Sequence, residues 1–198
     1  MAIDQVHDLQ YVYRKLLHSM SRPGTISSIK EPMIRMDYQI TCNESLLLSA
    51  LALLDGEVTF HILSDERPEL IEKITEYTSA KYAPIQEADF IIVFHDDHEE
   101  AVQRAMKQCK VGSLIDPQQS STWIIETSIL QNEGNVLLKG PGIQSEMALQ
   151  TGFSSTLWQA RNERTKEFPM GFDMIFVDHE SQIACVPRTT EVAQKEVG

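Results

Sequence analysis

The chain has 198 residues, of which 42% are hydrophobic and 23% charged. That profile buries a full core and excludes a disulfide scaffold, a collagen-like fibre and a wholly disordered chain. Lys and Arg number 17 against 29 Asp and Glu, a net charge of −12. Phosphate backbones and anionic lipid repel such a chain, so neither nucleic acid nor a membrane is expected as a partner.

The opening Met1–Asp8 has no basic stretch followed by an apolar one, so it does not read as a secretory signal. Leu9, Val12, Leu16 and Met20 recur at helical spacing, with Tyr13 and Leu17 beside them, and predict an amphipathic helix ending before Ser21-Arg22-Pro23-Gly24. A short strand is expected over Thr25–Ile29. Asn43 is placed to cap a helix through Leu54, closed by Asp55-Gly56. Its apolar stretch, Leu46–Leu54, is apolar on most sides. It predicts burial and falls well short of the roughly 18 residues that span a bilayer.

Val58–Leu63 alternates as a strand. Ser64 or Asp65 is expected to cap the next helix, with Pro68 in its first turn and Leu70, Ile71, Ile74 and Tyr77 facing inward. Phe90–Phe94 is a continuous apolar run, the pattern of a strand buried on both faces. Asp96, Asp97, Glu99 and Glu100 open the following helix, Lys107 and Lys110 sit near its end, and Ala101, Val102, Ala105, Met106 and Cys109 form its inner stripe.

Beyond residue 110 strands dominate. Thr122–Leu130 and Val136–Lys139 flank Asn132-Glu133-Gly134-Asn135 and predict a hairpin. Met147–Thr151 reads as a strand and Ser154–Arg164 as a helix. Phe172–Val177 and Gln182–Val186 form a second hairpin around Asp178-His179-Glu180-Ser181. The polar tail from Glu191 to Gly198 is expected to fray. These elements predict one α/β domain over residues 1–198, with three layers: a mixed central sheet and helices on both faces.

Chemistry-bearing residues are scattered. Cys42, Cys109 and Cys185 are widely spaced, without CxxC or a zinc pattern, and read as reduced thiols of a cytoplasmic protein. His95-Asp96-Asp97-His98 follows a buried strand and could hold a hard cation or zinc. No third ligand stands at ligand spacing, so the favoured reading is an acidic helix start with two surface histidines. Gly140-Pro141-Gly142 could bring backbone amides to a phosphate, but lacks the rest of a phosphate-loop or dinucleotide signature. Lys139 could form a Schiff base only if desolvated. Arg188-Thr189-Thr190 offers a guanidinium and two hydroxyls for an anion, but suits better an ordinary salt-bridged strand end or a partner contact. No catalytic, cofactor or metal set is therefore expected. Gly140, Gly142, Arg188, Thr189 and Thr190 remain as the candidate anion or partner contacts.

Four stretches form an ordered pattern: Arg14 to Gly24 with its Leu16-Leu17 pair and Met20-Ser21-Arg22-Pro23-Gly24, then Leu138–Ile143, Phe168–Asp173 and Val186–Thr190. In this order and total length they resemble the PhnH family of the bacterial phosphonate carbon–phosphorus lyase system. The resemblance implies a core complex with the G, I and J components of that system. With the L component as well, this machinery supports formation of alpha-D-ribose 1-methylphosphonate 5-triphosphate from ATP and methylphosphonate, releasing adenine. It also implies a fold similar to pyridoxal-phosphate-dependent transferases without the cofactor site, a homodimer when isolated, and an architectural rather than catalytic role. A free-standing enzyme or binding protein for a phosphorylated small molecule is the alternative.

Overall fold

The computed structural model describes residues 6–33, 42–64 and 67–194. Helix α1 (His7–Ser21) buries Val12 and Leu16, with Leu9 and Met20 packed beside them. Tyr13 and Leu17, expected along that face, point outward, at 44% and 51% exposure. A short β1 (Ser27–Ser28) and α2 (Lys30–Met33) follow. Helix α3 (Glu44–Leu53) starts where expected: the Asn43 side-chain oxygen accepts the N–H groups of Ser45 at 2.8 Å and Leu46 at 3.4 Å. Leu46, Leu47 and Leu48 are all buried, each contributing about 1.5–3 kcal/mol, so α3 is held by burial on most sides rather than by an amphipathic stripe.

Strand β2 (Thr59–Ile62), helix α4 (Pro68–Thr78) and β3 (Lys81–Tyr82) form the first parallel crossover. Ser64 is not the cap of α4, and Asp65 lies outside the described residues. Arg67 holds the capping position because Pro68, with its fixed φ, occupies the first helical turn. Leu70 and Ile74 are buried, whereas Tyr77 is 40% exposed.

Strand β4 (Phe90–Val93) leads to α5 (Glu99–Gln108), whose N-cap is His98. Asp96 and Asp97 therefore precede this helix instead of opening it, and Asp97 accepts the Phe94 N–H at 2.8 Å. Strand β5 (Thr122–Glu126) is shorter than expected and makes no hairpin with β6 (Gln131–Lys139). The physical reason is burial: Trp123, Ile124 and Ile125 pack on both faces between parallel neighbours, and the chain leaves the sheet after Glu126. The expected turn Asn132-Glu133-Gly134-Asn135 lies within β6, where the register shifts against β7 (Met147–Gln150) between Gln131 and Val136.

Helix α6 (Ser155–Arg164) is capped by Ser154, whose hydroxyl accepts the Leu157 N–H at 3.2 Å. Strands β8 (Asp173–Val177) and β9 (Gln182–Val186) form the second hairpin as expected. The segment expected to fray instead begins with strand β10 (Glu191–Gln194), paired antiparallel with β6. Val192 pairs with Leu138, and its carbonyl accepts the Asn162 side-chain N–H at 2.8 Å, which fixes an otherwise polar segment. Residues 195–198 lie outside the described part.

Among the described residues the large sheet has the order β1-β9-β8-β5-β4-β2-β3, and a three-stranded sheet has the order β10-β6-β7. The run β8-β5-β4-β2-β3 is parallel, whereas β9 and β1 are antiparallel, so the sheet is mixed. One face packs under α1, α3 and α4 through Phe60, Ile62, Ile92, Ile124 and Ile175. The other packs under α5, α6 and the small sheet through Ile91, Val93, Trp123, Met174 and Phe176. This is an α/β fold with a mixed seven-stranded sheet and helices on both faces. No helix among the described residues is long and apolar enough to cross a membrane.

Candidate functional site

In an open α/β sheet the crevice for ligands opens at the carboxyl ends of the parallel strands, where successive crossovers go to opposite faces. Here α4 leaves β2 on one face and α5 leaves β4 on the other, so the switch point lies between β2 and β4. Arg67 occupies it. Its guanidinium sits 3.8 Å from the centre of the Phe94 ring, and one of its nitrogens donates to both Asp96 carboxylate oxygens at 2.8 and 2.9 Å.

The chemically able groups gather one strand further along. Glu126 is the last residue of β5, His95 lies just past β4, and His179 lies in the loop after β8. Three residues far apart in sequence thus meet because three parallel strands end side by side. Glu126 shares the strand face of Ile124, so its carboxylate points to the α3 side and is only 6% exposed. The imidazoles are 54% and 56% exposed. His95 Nδ1 stands 3.4 Å from Glu126 Oε2, and His179 Nε2 stands 3.8 Å from Oε1. The two rings are nearly perpendicular, with centres 5.8 Å apart. One donor atom from each residue falls within 4.8 Å of the others.

The surroundings are acidic and locally well bonded. Asp178 accepts the N–H groups of Glu180 and Gln182, each at 2.9 Å, and shapes the loop that carries His179. Burial pushes the Asp97 and Asp178 carboxyls above their ordinary range, against the hydrogen bonds they accept. Burial, then the Glu126 charge, pushes the nearby Cys42 thiol up to about 11. Beside the cluster, a cavity of about 220 Å³ opens between the starts of α5 and α6, lined by His95, Glu126, Thr127, Gly152 and Ser154.

The structure splits the expected sites. Of His95-Asp96-Asp97-His98, only His95 joins the cluster: Asp96 holds Arg67, Asp97 the Phe94 N–H, and His98 stands at the N-cap position of α5 without a side-chain capping bond. Sequence spacing does not single out Glu126 or His179. Their one signal is a shared position at the ends of neighbouring parallel strands, which emerges only once those strands are aligned.

Gly140 and Gly142 are packing glycines, with φ 136° and 84°. A Cβ on Gly140 would stand 3.0 Å from the Thr189 carbonyl, and Gly171 similarly leaves 2.9 Å to the Arg188 side chain. Lys139 is 56% exposed and paired with Glu146 at 3.4 Å, the setting of a solvated lysine. Arg188 donates to the Pro117 carbonyl and the Ser120 hydroxyl, and its backbone N–H donates to Asp173 at 2.8 Å. Thr189 is exposed and Thr190 buried. All three border a cavity of about 490 Å³ with Arg161 and Phe168.

The four stretches that carry the resemblance therefore meet in space, Ser21–Gly24 against Gly142, Gly140 against Thr189, and Gly171 against Arg188. This arrangement defines the class: a mixed-sheet α/β protein whose ordered signature stretches are gathered into one packed region. Residues 2–193 match the family model "Bacterial phosphonate metabolism protein (PhnH)". The chain belongs to the PhnH family. It is 29% identical over 188 residues to a protein of Stutzerimonas stutzeri named as the putative C-P lyase subunit protein HtxG, covering 94% of this chain and 86% of that protein. It is 23% identical over 197 residues to the alpha-D-ribose 1-methylphosphonate 5-triphosphate synthase subunit PhnH of Rhizobium meliloti (strain 1021), covering 97% and 94%.

Proposed function

We propose that this chain is the PhnH component of a carbon–phosphorus lyase assembly, the machinery that converts ATP and methylphosphonate to alpha-D-ribose 1-methylphosphonate 5-triphosphate with release of adenine. The observation that carries this reading is the family match over nearly the whole chain. The partners are the G, I and J components, with the L component in the reaction, and the setting is cytoplasmic. Alone, the chain forms a homodimer. It acts as a single domain whose role is architectural, on a fold similar to that of pyridoxal-phosphate-dependent transferases. The exposed, ion-paired Lys139 supports the absence of a Schiff-base site.

Arg188 and Thr189 serve a partner contact in this reading rather than an anion site, and the buried Thr190 supports them from beneath. The Arg188 guanidinium is already committed to protein oxygens, and Phe168 on the same rim is 74% exposed. Co-expression with the G, I and J components should give one co-eluting assembly, weakened by Phe168→Asp. Elution of this chain alone with all three partners present would show the assignment to be wrong.

A further inference from the structure

We propose that His95, Glu126 and His179 form a site for one divalent transition-metal ion of the zinc class, with an open coordination position facing solvent. The distances carry it. An N–H to oxygen hydrogen bond measures about 2.7–3.2 Å. Ligands held at roughly 2.0–2.2 Å from a tetrahedral ion stand about 3.3–3.6 Å from one another. The 3.4 Å separation of His95 from Glu126 is a long hydrogen bond and the 3.8 Å separation of His179 exceeds one, and both are close to ligand spacing.

The donor set fits the same ion. Two imidazoles and one carboxylate suit a borderline cation better than the hard, oxygen-only shells of calcium or magnesium. Glu126 supplies a fixed, buried negative anchor at the strand end, while the two half-exposed rings need only small rotations to converge. Three protein ligands leave the fourth position to water or to an oxygen of a bound anion.

Asn43 tunes the site from behind. Its side-chain oxygen is committed to the start of α3, so its amide nitrogen faces His179 Nδ1 at 3.3 Å. An ion at Nε2 requires the ring proton on Nδ1, which then faces a second donor. Entry of the ion therefore breaks the Asn43 contact. Aspartate at this position would still cap the helix and would accept the Nδ1 proton instead.

The test is titration of the chelator-treated full chain with Zn²⁺ by calorimetry, and with Co²⁺ by its visible absorption. We expect one ion per chain, a tetrahedral Co²⁺ spectrum, and at least about tenfold weaker binding in both His95→Ala and His179→Ala. Both histidines are half-exposed, so unfolding midpoints should hold. Asn43→Asp should tighten binding. No binding at 100 µM Zn²⁺ (about a hundredfold above a micromolar Kd), undiminished affinity in either histidine variant, or weaker binding in Asn43→Asp would each overturn the proposal. None of these outcomes depends on assembly with other components, so the metal site and the functional assignment fail separately.

Discussion

The backbone of Gly142 lies directly against that of Ser21: a Cβ on Gly142 would stand 2.2 Å from the Ser21 carbonyl oxygen and 3.0 Å from the Pro23 ring. This contact joins the end of α1 to the turn after β6. With φ at 84°, the position also disfavours any side chain on conformational grounds. Gly142→Ala should therefore destabilise the fold by about 2–3 kcal/mol, read as a shift of the urea midpoint. Pro141→Ala, at an exposed neighbour, should shift it little.

Arg161 is fully buried, and among the described residues no carboxylate stands at ion-pair distance from it. Its two terminal nitrogens donate to the carbonyls of Thr190 at 2.8 Å and Pro187 at 2.7 Å, tying α6 to the segment before β10. Burial lowers its pKa to about 10, so it keeps its charge at neutral pH. Arg161→Lys retains the charge but cannot span both acceptors. It should cost about 2 kcal/mol or more, since a buried carbonyl loses its donor. Chemical denaturation checks this, and hydrogen exchange should show earlier opening of β10 than of β8.

Much of the fold is legible in the sequence because burial leaves periodic traces. The apolar run Phe90–Phe94 marks a strand covered on both faces, and Asn43 marks the start of α3. Asn132-Glu133-Gly134-Asn135 has turn composition but lies within β6, because the register shift accommodates Gly134 at φ 125°. Glu191–Gln194 is polar in sequence yet ordered by long-range pairing, which no local pattern encodes. The candidate site is half visible: His95 stands out in its cluster, whereas Glu126 and His179 gain meaning only from strand alignment.

The carboxylate of Asp89 accepts from the Thr59 N–H and hydroxyl, both at 2.8 Å, and pairs with Lys110. Burial alone would raise its pKa, but these bonds outweigh it and hold the group below its ordinary range. The sign follows from linkage: a carboxyl depressed in the folded state adds stability above its unfolded pKa, and that share is lost as pH falls through the folded value. Wild-type stability should thus drop below about pH 4 more steeply than that of Asp89→Asn, as read by urea unfolding across about pH 2–6. Equal acid slopes would contradict the assignment.

Asn43→Ala removes the acceptor for two N–H groups at the start of α3 and should cost about 1 kcal/mol. Asn43→Asp should stay within a few tenths of a kcal/mol of wild type, as measured by thermal unfolding. The pair separates the capping role of this residue from its contact with His179.

Strand β1 pairs with β9, Ser27 opposite Ile183, and α1 packs on that same strand. During synthesis the first helix leaves the ribosome long before the strand that covers it. Its buried residues, Val12 and Leu16, must therefore wait for the far half of the polypeptide. Closing so long a loop makes the final docking slow, and the nascent chain is open to capture by a chaperone until β9 emerges.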